Sequence, residues 1–347
     1  DNTADFTAGG LITLTAQDEI GVLGSGSDLD LEFATGSSVN VSTTGTGAID
    51  LDGLGTLTLT DVDTANGAIT ASSAGALTVT DVASGTNGNI VLSTSSGDIT
   101  GLATVNAGSG NVTLNSAGAI VDDGSAGTVI TGGVLTADAA GAITIDSTVT
   151  SANISTSAAG NVDLDETDGI TLTDLDTNDG SITVDAGGLI TATDVVAAGG
   201  SGDSVTLTTT TGGAVATLVT GADAVSITAN AGDITIGAVT ATAGTLGVTA
   251  TAGSINDAAD DNTADFTAGG LITLTAQDEI GVLGSGSDLD LEFATVTPGR
   301  DLDRFRRHAF RSLQKRQLYG SGKPSRANDI YRQLQSTPLQ YTDTIGT

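Results

Sequence analysis

Residues 57–82 read LTLTDVDTANGAITASSAGALTVTDV. Leu57-Thr58-Leu59-Thr60 alternates apolar and polar residues, and so does Leu77-Thr78-Val79-Thr80 twenty residues later. Thr60-Asp61-Val62 likewise returns as Thr80-Asp81-Val82. Alternation with period two and many β-branched residues is the mark of a strand with one buried face. Between the two strands lie Asn66-Gly67 and Ala74-Gly75, small residues suited to turns. The stretch therefore contains one repeat unit of short strands and tight corners, and no helix.

The same pattern extends in both directions. Leu11–Thr15, Asn111–Leu114, Ile170–Thr173, Ile190–Thr193, Val205–Thr208 and Val225–Thr228 all alternate in this way. Thr173-Asp174-Leu175 returns as Thr193-Asp194-Val195, again after twenty residues. Similar units number about 12 between Gly9 and Gly269, a mean near 22 residues each. A longer repeat is superimposed. Residues 1–35 are identical to residues 261–295, which sets a super-repeat of 260 residues.

A unit of about 20 residues cannot bury its own apolar side. Stacked units can, by forming parallel sheets around one continuous core. The expected fold for 1–295 is all-β: a right-handed parallel β-helix, or β-solenoid, with rungs of about 20–22 residues. At about 4.8 Å per rung, 260 residues make a rod of roughly 55–60 Å. Leucine-rich repeats share the length, but their Leu/Asn pattern and helical segments are missing. Tandem immunoglobulin-like domains repeat near 100 residues and usually supply core aromatics, and the first 295 residues contain only four, all Phe. Regular Ile, Leu and Val argue against disorder. The expected core is Ile, Leu, Val and Ala, with Phe only at a wide corner. Thr, Ser and Asp are expected outside, and Asn and Ser are expected to form corner ladders between rungs.

Charge divides the chain at the same place. All 10 Lys and Arg lie between Arg300 and Arg332, and the tail 296–347 holds four acids, for a net of +6. The body then carries 42 − 4 = 38 carboxylates and no basic side chain. Such a body repels nucleic acid and anionic membranes and attracts cations. There is no Cys, so neither disulfides nor thiolate metal sites contribute. No run of about 18 apolar residues occurs, and no membrane span is expected. A chain that starts with Asp1 and shows no signal peptide reads as a fragment.

The Gly-x-Ile-x-Leu-x-Ala…Gly-x-Ile units of 9–295 resemble the repeats of filamentous-haemagglutinin-like exoproteins. The resemblance covers about 85% of the chain. It implies a right-handed β-helix in a large bacterial adhesin, exported by two-partner secretion. That places the chain outside the cell, at the bacterial surface. Its partners would be host-cell, matrix or neighbouring-cell components, with self-association along the fibre. The family's N-terminal secretion region has no counterpart in these residues.

The tail begins with a break at Thr297-Pro298-Gly299. Asp301 is placed to cap a helix whose Leu302, Phe305, Ala309 and Leu313 share one face, opposite a basic one. A second short helix is expected near Arg326–Gln335. This basic segment reads as a cap on the last rung, a contact for a partner, nucleic acid or membrane, or sequence joined from elsewhere.

No catalytic residue emerges, and the chain is not read as an enzyme. A polysaccharide lyase needs a cationic group that the body lacks. Glycosidases use paired carboxylates and usually aromatic platforms, and the body has no Trp or Tyr. A Ser/His/Asp triad would need His308, the one His of the chain. Three stretches approach a calcium loop: Asp61–Gly67, Asp163–Gly169 and Asp174–Gly180. Each lacks the Glu at the twelfth position of that loop. Their Asp and Asn also suit ordinary turns. No cofactor or metal ligand is assigned, and weak, screened calcium binding stands as the alternative. Thr-x-Thr at 13–15, 58–60, 78–80, 171–173, 191–193 and 206–208 resembles the ranks of ice-binding solenoids, but not in every rung. The expected role is a structural or adhesive fibre segment. A calcium-linked or surface-binding module, for biofilm matrix or ice, is the other reading.

Overall fold

A computed structural model describes residues 4–21, 29–33, 38–125, 127, 129–200, 202–259, 263–281 and 289–293. The chain separates into units 1–294 and 295–347. The second unit, with both expected tail helices, lies outside the described residues.

Among the described residues the chain is all β-strand and turn, with no helix. Every strand pairing among them is parallel. One column starts at Ile12–Ala16 and runs through Val39–Thr43, Leu57–Thr64 and Leu77–Val79. It continues through Ile99–Leu102, Ile120–Asp122, Ile143–Ala159 and Val162–Glu166. From there it passes Ile182–Ala186, Val205–Thr209, Val225–Ala229 and Leu246–Ala250 to Ile272–Ala276. Ile12–Ala16 and Ile272–Ala276 have the same sequence and sit twelve steps apart. The 260-residue repeat is thus a whole number of rungs, as the sequence count anticipated. Most steps are close to 21 residues. The shortest runs 17, from Leu135 to Ala152, where one unbroken strand spans Ile143–Ala159. The longest described runs 29, from Ile20 to Ile49.

The core follows from the alternation. In Leu57–Thr64 the residues Leu57, Leu59 and Val62 are fully buried, while Thr58 and Thr60 face outward. Ile69, Ile90 and Val112 stack in register above Ile49, all fully buried. Side chains of one rung thus fill the space above like side chains of the last, and the coil needs no second layer.

The expectation that Ser and Thr face outward holds along the strands and fails at the corners. Thr43, Thr64, Ser73, Ser84, Thr177 and Thr209 are buried. Each stands within two residues of a strand end, with its hydroxyl turned inward, and donates to a carbonyl three or four residues on. Thr64 reaches Gly67 O at 2.8 Å, and Thr209 reaches Gly212 O at 2.6 Å. The bond gives a corner carbonyl a hydrogen-bond partner inside the coil. The glycines that follow are required by close approach between rungs. A Cβ on Gly67 would land on the carbonyl oxygen of Gly47, and one on Gly88 would land on that of Gly67.

The expected corner ladders are present. Asn89 Oδ1 accepts from Asn111 N at 2.9 Å, and Asn111 Oδ1 accepts from Val134 N at 3.2 Å, one rung further each time. Asn66 Oδ1 accepts from Thr86 Oγ1 and Asn87 N in the same way.

Candidate functional site

The calcium-like stretches do not form loops. Asp61 and Asp63 lie in the strand Leu57–Thr64, and Asp163 and Asp165 in Val162–Glu166. Asp174, Asp176 and Asp179 lie in Ile170–Asp179. The reading that put these acids on turns holds for Asp168, which sits at a bend, and is corrected by the backbone for the others. An extended chain carries alternate residues to the same face, so Asp-x-Asp presents two carboxylates outward from one strand. A calcium loop instead curls its oxygens around one point.

Parallel stacking then lines the acids up between rungs. Asp146, Asp165 and Asp185 are register partners on three successive rungs. Asp163 stands two residues from Asp165, and Asp122 lies close enough to feel both. Rungs repeat at about 4.8 Å, so the carboxylates of such a file repel one another strongly. Partial burial pushes the Asp163 and Asp165 carboxyls above the usual range, and their neighbours push them further.

Two smaller files repeat the arrangement. Asp63 is raised to about 6, first by burial and then by Asp61 and Asp81. Asn40 Nδ2 on the rung below donates to Asp61 Oδ2 at 3.0 Å. Asp138, Ser155 and Asp176 are register neighbours, with Ser155 Oγ donating to Asp138 Oδ1 at 2.6 Å. Burial raises Asp176 as well, and Asp174 and Asp194 add to it. Asp194 Oδ1 is shielded from solvent and lacks a hydrogen-bond partner. Among the described residues no group of three or more His, Cys, Asp or Glu is arranged to hold a metal ion. The files offer diffuse negative charge.

Among the described residues three acids are buried, Asp50, Glu166 and Asp265, and sequence reasoning found none of them. Glu166 ends its strand at a corner where most rungs place Thr, Ser or Ala. It is 4% exposed. Its carboxyl accepts from Ser147 Oγ at 2.6 Å and from Val149 N at 3.2 Å, and burial still raises its pKa. Asp265, also 4% exposed, is raised to about 7 by burial and by Asp257 and Asp290, although Asp290 N donates to it at 2.7 Å. The signal for Glu166 is in the sequence: it stands two residues after Leu164 and four after Val162, on the inward parity.

The Thr-x-Thr ranks are short. Thr58, Thr78 and Thr100 are aligned on three rungs, and the register slips between Ile99 and Leu102. His308 lies outside the described residues. The chain matches no protein-family model, no curated protein and no solved structure.

Proposed function

We propose that this chain is a non-catalytic, rigid segment of a long exported bacterial fibre. Its role is to extend an adhesive structure from the cell surface. The observation that carries this reading is that the identical strands Ile12–Ala16 and Ile272–Ala276 sit twelve whole rungs apart in one column. Units of 260 residues can follow one another without breaking register. The resemblance of the Gly-x-Ile-x-Leu-x-Ala units to filamentous-haemagglutinin-like repeats supports it. So does the acid-rich body, whose field keeps long polymers from sticking side by side. On this reading the coil is right-handed, as parallel crossovers almost always are. The tail 296–347 folds as a basic helical segment. Partners are host-cell, matrix or neighbouring-cell surfaces. The test is adhesion of beads coated with the chain to cells and matrix, with electron microscopy of tandem units alongside. Each added unit should lengthen the rod by about 58 Å. Beads that bind no better than blank ones would remove the adhesive role. A length that does not grow with unit number would remove the scaffold role.

The Asp146–Asp165–Asp185 file favours a second reading, a cation-linked module in a biofilm matrix. Ligands that bind only the folded state raise the melting temperature. A rise of several degrees at millimolar calcium, absent with sodium at equal ionic strength, would favour that reading. No rise leaves the scaffold.

A further inference from the structure

Asn-Gly is the dipeptide at which asparagine is lost most readily, because no side chain shields the glycine nitrogen. The chain holds two such pairs, Asn66-Gly67 and Asn87-Gly88, at the same corner of successive rungs. The fold treats them differently. Asn66 Oδ1 accepts from Thr86 Oγ1 at 2.7 Å and from Asn87 N at 3.1 Å, so its carboxamide is held against the rung above. Asn87 is exposed, and among the described residues nothing hydrogen-bonds its carboxamide. The Gly88 N–H has no partner among them either, while the Gly88 carbonyl accepts from Ser84 Oγ. The two corners also differ in length. Residues 65–68 join Leu57–Thr64 to Ile69–Ser73, whereas residues 84–89 join Asp81–Ala83 to Ile90–Thr94, six residues against four. The longer corner turns at Gly85, whose φ is 73°.

We propose that Asn87 is a site of spontaneous deamidation, with water as the co-reactant, and that its conversion opens the corner of that rung. The Gly88 nitrogen attacks Asn87 Cγ. A C–N bond forms, the Cγ–Nδ2 bond breaks, and ammonia leaves with the proton that the glycine nitrogen gives up. The product is a cyclic imide. Water then splits one of the two ring C–N bonds, its hydroxyl going to the carbonyl carbon and its proton to the nitrogen, which leaves aspartate or isoaspartate. Nothing is oxidised or reduced. At Asn87 the attacking N–H gives up no hydrogen bond, and the carboxamide is free to turn toward it. At Asn66 two hydrogen bonds have to break first, which slows the same reaction by roughly tenfold or more. The consequence for the coil follows from the stacking. A Cβ on Gly88 would land on Gly67 O of the rung below, and one on Gly110 of the rung above would land on Gly88 O. Isoaspartate inserts an extra methylene into the main chain beside the middle one of these three glycines, where the rungs leave no room for it. The inference rests on hydrogen bonding and packing at one corner and is independent of any adhesive role.

The full chain is held folded in mildly alkaline buffer, sampled over time and digested with a protease that cuts before aspartate. Cleavage before Asp63, Asp81 and Asp98 puts Asn66 in fragment 63–80 and Asn87 in fragment 81–97. Fragment 81–97 should gain the mass difference between NH2 and OH, placed at Asn87 by fragmentation, and isoaspartate-specific methyl labelling should mark it. Asn66 should convert roughly tenfold or more slowly. In urea, with the rungs unstacked, the two rates should converge. Equal rates in the folded chain, faster conversion at Asn66, or no conversion at Asn87 would overturn the proposal. Thr86→Val removes one of the two donors to Asn66 and should speed conversion at Asn66 several-fold. An unmoved rate there would overturn the protecting role of the bonds. Asn87→Gln should melt with the fresh parent and keep its melting temperature through the incubation, while that of the parent falls. A fully converted parent that melts like the fresh one would overturn the opened corner.

Discussion

Ser147 Oγ donates a 2.6 Å hydrogen bond to Glu166 Oε2 across two adjacent rungs, inside the coil, at positions that are register partners in the parallel ladder. The pair occupies a corner where neighbouring rungs place uncharged residues such as Ala186 and Thr209. A buried carboxylate is tolerated there because it accepts from Ser147, Val149 N and Asp168 N. Ser147→Ala should lower stability by about 1–3 kcal/mol, since the acceptor stays buried with fewer donors. Glu166→Gln should be neutral or stabilising at pH 8 and lose any gain at pH 5. Urea midpoints at the two pH values check both variants.

Acid should strengthen this fold before it weakens it. Asp63, Asp265, Glu166 and the Asp122–Asp163–Asp165 group all have folded pKa values above their ordinary ones. The folded state then binds protons more tightly than the unfolded state, so stability falls as pH rises through the raised values. It recovers as pH drops from about 7, the Asp265 value, through about 6, the Asp63 value. The melting temperature should rise between pH 8 and pH 5. A monotonic fall over that range would contradict the assignment.

Corner hydroxyls and strand hydroxyls should respond differently to the same substitution. Thr64→Val removes the donor to Gly67 O inside the corner and should cost about 1–3 kcal/mol. Thr58→Val, on the outward face of the same strand, should stay within about 0.5 kcal/mol. Chemical denaturation of the two variants decides it.

Glycines divide in a similar way. Gly67→Ala drives a methyl into the carbonyl of Gly47 and should cost on the order of 1–3 kcal/mol. Gly247 lies mid-strand with open space beside it, so Gly247→Ala should gain about 0.5–1 kcal/mol. Thermal melts read both directions.

Position along the coil should matter more than residue type. Ile20→Ala and Ile280→Ala change the same residue in the same local sequence. The first removes a side chain that is 7% exposed, and the second one that is 45% exposed. Ile20→Ala should cost about 2 kcal/mol or more, and Ile280→Ala under about 1 kcal/mol. Hydrogen exchange at low concentration, rung by rung, gives the comparison.

The alternation of residues 57–82 was enough to read strands, rung length and the apolar core, because a period-two pattern leaves one buried face. It was also enough to count twelve rungs between the two copies of the 35-residue stretch. Inward Thr64 and Thr177 were not legible from residue type, since Thr outside and Thr at a corner look alike. Their parity with Val62 and Leu175 carried the information. The acids were misplaced because Asp beside Asn-Gly suits a turn, and the strand runs further than its apolar residues. The unequal burial of Phe6 and Phe266 could not be read at all. Two identical sequences differ there only in what lies above and below them.

The whole-number relation between the 260-residue repeat and the coil has a genetic consequence. Two stretches that encode the same 35 residues are a natural site for unequal crossing-over. A crossover between them removes or adds one period, so the rod changes by twelve complete turns and each corner glycine still meets its predecessor. Most other insertions would leave a partial turn and a mismatched corner. Coil length is therefore free to change in steps of about 58 Å, without any new folding problem to solve.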